Sequence, residues 1–288
     1  MTVLPEQIIV GAGTEYLYGL LIQLFGKDRI YAVENPGYRK ISQIYKSWQV
    51  PCEYINMDND GVKVSELEEK QADIVHISPS HHYPTGIVMP ISRRYELLGW
   101  ASKGENRYII EDDYDSELRL SGQPIPTLQS IDVSDKVIYM NTFTKTLSST
   151  VRISYMVLPG QLLDEFYKKL SFYSCTVSNF EQYTLAKFIQ EGYFEKHINR
   201  LRNYYHSKRD TLITAIKTSR LNDFVTVSGE EAGVHFLMEI STSQTEEDLI
   251  QTALTQSIKL SPLSGYYHVP EEAPDNVYIM NYSSIEVD

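Results

Sequence analysis

Apolar residues follow two alternating rhythms along this chain. Short runs such as QIIVGAG, DRIYAVENP and CEYINM are dense in β-branched and aromatic residues and stop at polar ones, whereas EYLYGLLIQLF and YRKISQIYKSW are helical patterns. The alternation predicts successive strand and helix units around a largely parallel sheet. ADIVHISPS, NRYIIEDDYD and KVIYMNTFTK continue the series, each a strand-like run that ends in polar or charged residues. Ligands of open α/β sheets bind beyond the carboxyl ends of the strands, so the chemistry is expected at those endings.

After Pro159 the pattern turns helical. In FEQYTLAKFIQEGYFEKHINRLRNYYHSKRDTLITAI, Leu201, Tyr204, Tyr205, Leu212 and Ile213 recur at helical spacing, which predicts a long connecting helix. Beyond it GVHFLMEIS and VYIMNYSS read as strands and TEEDLIQTALTQS as a helix opened by Thr245. The expected division is a large domain over 1–195, then a connecting helix and small α+β lobe over 196–288. Both ends look cut: the first strand starts soon after Met1, and Ser283 or Ser284 before IEVD resembles a helix N-terminus where the chain stops.

Composition narrows the class. A chain of 288 residues is long for one small domain, which fits two lobes. With 42% hydrophobic and 22% charged residues it reads as folded, and no apolar run nears the ~20 residues that span a bilayer. There is no secretory signal at Met1, and two cysteines, Cys52 and Cys175, fit a reducing cytosol, so a cytoplasmic location is expected. The net charge of −12 is uneven: residues 221–288 hold one base, Lys259, against twelve acids. Neither part clusters the Lys and Arg that a phosphate backbone requires, so this chain alone is not expected to bind nucleic acid.

Three segments carry candidate chemistry. GAGTE at 11–15 joins an apolar strand to a helix, where unpaired N–H groups can hold a phosphate; a plain tight turn would look the same. EDDYDSELR at 111–119 puts three acids at a strand end. A carboxylate buried there could pair with a cationic ring nitrogen, with Tyr114 donating to a phenolate oxygen; a solvated acidic turn is the plainer alternative. NTFTKTLSSTVR at 141–152 sets Lys145 among Thr142, Thr144 and Thr146, with Arg152 following. A lysine that forms an imine wants partial burial, and hydroxyls with an arginine suit a phosphate monoester, although a surface lysine in a Thr/Ser loop has the same composition.

In this order the three segments resemble the fold-type I pyridoxal-phosphate proteins over essentially the whole chain. SPSHHYPTG (78–86), EDDYDSELR and TFTKTLSSTVRISYMVLP (142–159) further resemble the aminotransferase-like domain of MocR-type regulators, a branch of the GntR transcription factors. The resemblance implies an α/β aminotransferase-like fold, mostly parallel, with helices on both faces. It implies that Lys145 holds pyridoxal 5′-phosphate as an internal aldimine and that Asp112 pairs with the pyridine nitrogen, with Asp113 a competitor. Tyr114 would reach O3′ and Tyr38 of ENPGY would stack on the ring. Arg152, Thr142 and Thr144, with the Gly13, Thr14 and Glu15 backbone, would hold the phosphate. His81 and His82 would face the pocket or lie in a partly exposed loop.

Two departures bear on function. Tyr83 stands where aminotransferases place Asn before PTG, and no arginine follows Arg220, the corresponding strand reading VYIMNYSS with Asn281. Asn cannot make the bidentate carboxylate clamp that arginine makes. The expectation is therefore an effector-sensing domain that responds to the cofactor, an amine or an amino acid without efficient turnover. An active aminotransferase is the alternative. The resemblance also implies a homodimer and a winged helix-turn-helix that this chain lacks, so that DNA would be contacted only through that absent module. No metal is expected.

Overall fold

A computed structural model describes residues 3–120, 125–231, 233–283 and 285. β1 (Ile8–Ala12) enters the Gly13 turn and α1 (Thr14–Phe25), followed by β2 (Tyr31–Asn35), α2 (Arg39–Ser47), β3 (Cys52–Asp58), β4 (Gly61–Val62) and α3 (Val64–Glu69). Next come β5 (Ile74–Ile77), α4 (Ile91–Ser102), β6 (Tyr108–Asp112), α5 (Leu128–Ile131), β7 (Val137–Thr142) and β8 (Ile153–Val157). These eight strands form one sheet in the order β1-β8-β7-β6-β5-β2-β3-β4. The inner strands β3, β2, β5, β6 and β7 pair in parallel, while β8 runs antiparallel to both β7 and β1.

Period-two alternation splits the inner strands between two apolar layers. Val33, Ile74, Ile110 and Ile138 pack with Leu17, Leu21, Tyr45 and Phe166 on the face covered by α1, α2 and α6 (Leu163–Leu170). Ala32, Val75, Ile109 and Val137 pack with Leu67, Leu97, Trp100 and Leu128 on the face covered by α3, α4 and α5. The sheet is thus sandwiched by helices and mostly parallel, as expected.

Glu111 alternates with Asp112 and points into the second layer, where Arg94 approaches it at 3.3 Å, both fully buried. Glu111 also accepts the Leu128 and Gln129 N–H groups, and Arg94 donates to the Pro79 carbonyl. One ion pair therefore fixes both the start of α5 and the loop that carries His81 and His82. Burial nonetheless raises the Glu111 carboxyl to about 7.

The helical run after Pro159 is two helices, α7 (Asn179–Gln190) and α8 (Tyr193–Thr218), separated by Gly192 at φ 73°. That left-handed conformation is cheap only for glycine, which is why the long helix starts where it does. α8 leads to an antiparallel sheet of β9 (Val225–Ser228), β10 (His235–Ile240) and β11 (Val277–Asn281), ordered β11-β10-β9. Thr245 caps α9 (Glu246–Thr255), its hydroxyl accepting the Asp248 N–H at 3.2 Å. Ser284 and 286–288, on which the expectation of a further helix start rests, lie outside the described residues; Ser283 instead donates to Asn281.

Candidate cofactor site

Asp112 ends β6 on the α1 face and is buried. Its Oδ2 accepts a hydrogen bond from the Tyr18 hydroxyl and lies 3.3 Å from His76 Nε2. Tyr18 sits one helical turn beyond Thr14 on α1, which the Gly13 turn and buried Leu17, Leu20, Leu21 and Leu24 seat against the sheet. His76, on neighbouring β5, has its other nitrogen 2.8 Å from the Tyr45 hydroxyl. With Tyr45 donating to Nδ1, His76 donates from Nε2 to Asp112, so two donors hold one oxygen. Burial, then the charge of Asp112, keeps the Tyr18 phenol well above its ordinary pKa and thus a donor. Among the described residues the second oxygen, Oδ1, is buried without a hydrogen-bond partner. An oriented carboxylate with one unspent acceptor suits an N–H cation such as a protonated pyridine.

Asp113 is spoken for elsewhere. Its Oδ2 accepts the Tyr139 hydroxyl at 2.9 Å, with further side-chain hydrogen bonds from Ser116 and Ser80. Strand alternation sends the two neighbouring acids to different partners.

The residues expected around a phosphate do converge. Gly13 has φ 93°, and a Cβ there would fall 2.4 Å from Arg152 Nη2, so only glycine lets the turn approach the guanidinium. Thr142 donates to Thr144 at 2.9 Å and accepts from Ser154 at 2.8 Å, which fixes the hydroxyl cluster beside the β7 end. The Glu15 carboxylate binds Arg152 at 2.8 Å and also Lys40. These cations pull its carboxyl below the ordinary range, although burial, the largest influence, opposes them. Sequence spacing gave no sign of the Lys40 contact.

Tyr38 is half exposed, with its ring edge-on to Tyr83 at 5.9 Å between centroids. Tyr83 hydrogen-bonds Tyr266 at 2.8 Å, bringing the C-terminal lobe to the site. His81 and His82 are both buried, which rules out the exposed-loop alternative. His81 Nδ1 lies 2.8 Å from Asp115 Oδ2 and 3.2 Å from the Tyr114 hydroxyl. Asp115, the closer acceptor, takes the Nδ1 proton, so Tyr114 must donate its own proton elsewhere. Burial, then Asp115 and Asp112, keeps that phenol protonated.

His235 from β10 packs on His81 and Tyr83 at 4.7 and 5.0 Å, and burial lowers its pKa to about 3. Behind it Gly233 is obligatory: its φ is 65° and a Cβ would meet His81 Cε1 at 2.0 Å. Asn281, at the sequence position of the expected carboxylate clamp, is exposed and its Oδ1 accepts from Ser283 N and Oγ.

Lys145 departs from its expected partial burial, for it is exposed. It occupies a turn closed by Leu147 N–H donating to the Phe143 carbonyl at 2.9 Å. Thr142 and Thr146 on either side of Lys145 are buried, and the Lys145 charge is near enough to act on His235 of the small lobe.

The donor set fits pyridoxal phosphate: an orphaned buried carboxylate oxygen for the ring, a glycine turn beside an arginine for the phosphate, and a lysine at the strand end. The profile of the family described as aminotransferase class I and II matches residues 1–273. This chain belongs to that family.

Within sequence relatives, the chain is 39% identical over 92% of its length to an uncharacterized HTH-type transcriptional regulator, YdeL, of Bacillus subtilis. It is 33% identical over 98% of its length to the protein named probable rhizopine catabolism regulatory protein MocR of Rhizobium meliloti. It spans 57% of the length of each of these relatives. Among solved structures, kynurenine aminotransferase of Pyrococcus horikoshii, crystallised with PMP, superposes with a TM-score of 0.81 at 27% identity, covering 97% of this chain and 70% of that one. The fold is therefore the fold-type I aminotransferase fold. Among the described residues no helix is long and apolar enough to cross a membrane, and no group of three or more His, Cys, Asp or Glu side chains is arranged to hold a metal ion.

Proposed function

We propose that this chain is the pyridoxal-phosphate-binding, effector-sensing part of a MocR/GntR-type transcriptional regulator. The observation that carries the reading is the pairing of a ring socket at Asp112 with an Asn281 whose side chain is folded back on Ser283. Such a site supports cofactor capture without a clamp for an amino-acid carboxylate. The regulator names of the sequence relatives support the same choice. Residues 1–195 would form the cofactor domain and 196–288 the connecting helix and small lobe, with DNA contacted through a module outside this chain and a cytoplasmic location.

When bound, pyridoxal phosphate supplies an aldehyde that condenses with primary amines and a cationic ring that withdraws electrons. Lys145 would be the amine that holds it. Asp112, oriented by Tyr18 and His76, keeps the proton on the ring nitrogen. Tyr114, denied an acceptor on His81 Nδ1, donates to the phenolate oxygen. Tyr38 would stack on the ring, and Arg152, Thr142, Thr144 and the Gly13, Thr14 and Glu15 backbone would hold the phosphate, Arg152 being paired with the Glu15 carboxylate in this structure. His81 serves by fixing Tyr114. An amine or amino-acid effector would displace Lys145 and alter the contacts that His235 and Tyr266 make from the small lobe. That is the differential contact a switch requires.

Sensing and transamination make different predictions. Without a guanidinium on the ligand carboxylate the Cα–H bond is poorly aligned, and misalignment costs on the order of 100-fold in rate. Loaded protein mixed with a panel of amino acids and keto acids should change its visible spectrum without steady formation of pyridoxamine phosphate. Multiple turnovers on the order of 1 per second would instead establish the aminotransferase.

Tyr18→Phe should leave Asp112 in place but remove one of its two donors. Cofactor affinity, measured by fluorescence titration, should fall by roughly 1 to 2 kcal/mol, about five- to thirty-fold. An unchanged affinity would show that His76 alone orients the carboxylate.

A homodimer follows from the same reading. Phe172, Phe180 and Tyr183, around the start of α7, are at least three-quarters exposed, and aromatic surface of this kind suits an interface. Sedimentation of loaded protein at micromolar concentration should give twice the chain mass; a monomer would remove the dimer.

A further inference from the structure

A cavity of about 320 Å³ lies between α2, the end of β2 and the 263–268 turn of the small lobe. Of the residues assigned to the cofactor only Tyr38 lines it, as part of one wall. Tyr54, Tyr266 and Tyr267 supply further aromatic wall, with Tyr54 stacked on His268 at 3.8 Å between centroids. Two exposed cations of α2 flank them. Lys46 Nζ stands 5.5 Å from the Tyr54 ring, and Arg39 makes a long contact of 3.4 Å to the Tyr267 carbonyl. Among the described residues Glu34 is the single carboxylate of the lining, and burial raises it to about 8, so it is largely uncharged at neutral pH. The lining also reaches His76.

Aromatic walls, two cations and no charged acid define a ligand chemistry. The volume is at the lower end of small-molecule sites and suits one ring with a short chain. We propose that this cleft is a second ligand site for a small aromatic carboxylate, held at its carboxylate by Arg39 and Lys46 and at its ring by the tyrosines. The site has its own coupling route. His76 both lines the cleft and donates to Asp112, and Tyr38 lines it and would also stack on the cofactor ring, so a ligand that shifts either side chain changes the ring environment. The binding step stands without the cofactor reading; the coupling rests on it.

The test uses two probes without an amine, 3-phenylpropionate and 3-phenylpropan-1-ol, so that neither condenses with the cofactor. Calorimetric titration of the full chain, loaded with pyridoxal phosphate, should show the carboxylate binding on the order of tenfold more tightly than the alcohol. Lys46→Met and Arg39→Met should each weaken the carboxylate about fivefold and leave the alcohol unchanged, as expected for charge-assisted contacts at an exposed mouth. Saturating carboxylate should shift the visible band, and His76→Gln should abolish that shift while binding persists. Equal affinity for the two probes would overturn the site, as would carboxylate binding that ignores both α2 variants but is lost in Arg152→Met. Binding with the expected variant pattern and no spectral shift would overturn the coupling. A wild-type chain with no cofactor spectrum would overturn the cofactor reading, and titration of the unloaded chain would still decide the site.

Discussion

Lys145→Ala is expected to abolish the visible absorption of the loaded protein and to leave the cofactor removable by dialysis. The substitution deletes the amine proposed to form the covalent link. Asp112, Arg152 and the hydroxyl cluster would remain as non-covalent contacts, so some affinity should persist in titrations at high cofactor concentration. The loss of fold should be small, because Lys145 is exposed and the turn around it is closed by Leu147 and anchored by buried Thr142 and Thr146. Far-UV circular dichroism and thermal unfolding should therefore match wild type. Borohydride reduction of the wild-type protein followed by peptide mapping should place the pyridoxyl group on the Lys145 peptide. The informative competitor is Lys40, which shares Glu15 with Arg152 and so stands beside the phosphate turn. Label on the Lys40 peptide would move the covalent role there.

How far the chain discloses itself depends on the range of the interaction involved. The sheet is legible because each inner strand is an apolar run bounded by polar residues, and the helices because their spacing differs from it. Turn chemistry is equally local: Gly13 and the Thr245 cap are set by residues within a few positions. Gly192 looks like one more residue of a helical run in FIQEGYFEK, and only its left-handed backbone shows that two helices meet there. What sequence left out is lateral. Tyr18 of α1 and His76 of β5 meet at Asp112, with Tyr45 of α2 behind His76, and His76 reaches Asp112 because β5 and β6 are neighbours in the sheet. Tyr18 had one readable signal, its place a helical turn after Thr14. Glu111 had another, since alternation alone puts it on the face opposite Asp112. For Lys145 composition left a partly buried imine-forming lysine and a surface lysine both open, and the side chain is exposed between buried Thr142 and Thr146.

The ranking of Asp112 over Asp113 is the sharpest consequence of that lateral geometry. Asp112→Asn should lower cofactor affinity by roughly 1.5 to 3 kcal/mol, about 10- to 150-fold, because a charge-assisted pair to the ring nitrogen becomes at best a neutral contact. An amide at this position also has to direct its NH2 group either at the Tyr18 and His76 donors or at the ring. Either choice sets donor against donor. Asp113→Asn acts on a different network, in which the carboxylate accepts from Tyr139, Ser116 and Ser80. The amide oxygen can keep one of those bonds, so the cost should appear as thermal stability, on the order of 1 kcal/mol, with cofactor affinity near wild type. Both measurements, titration and unfolding, need to be made on both variants, because a destabilised Asp112→Asn would lose affinity for an uninteresting reason. Affinity falling more in Asp113→Asn would move the ring partner one residue along and, with strand alternation, away from the face that α1 covers.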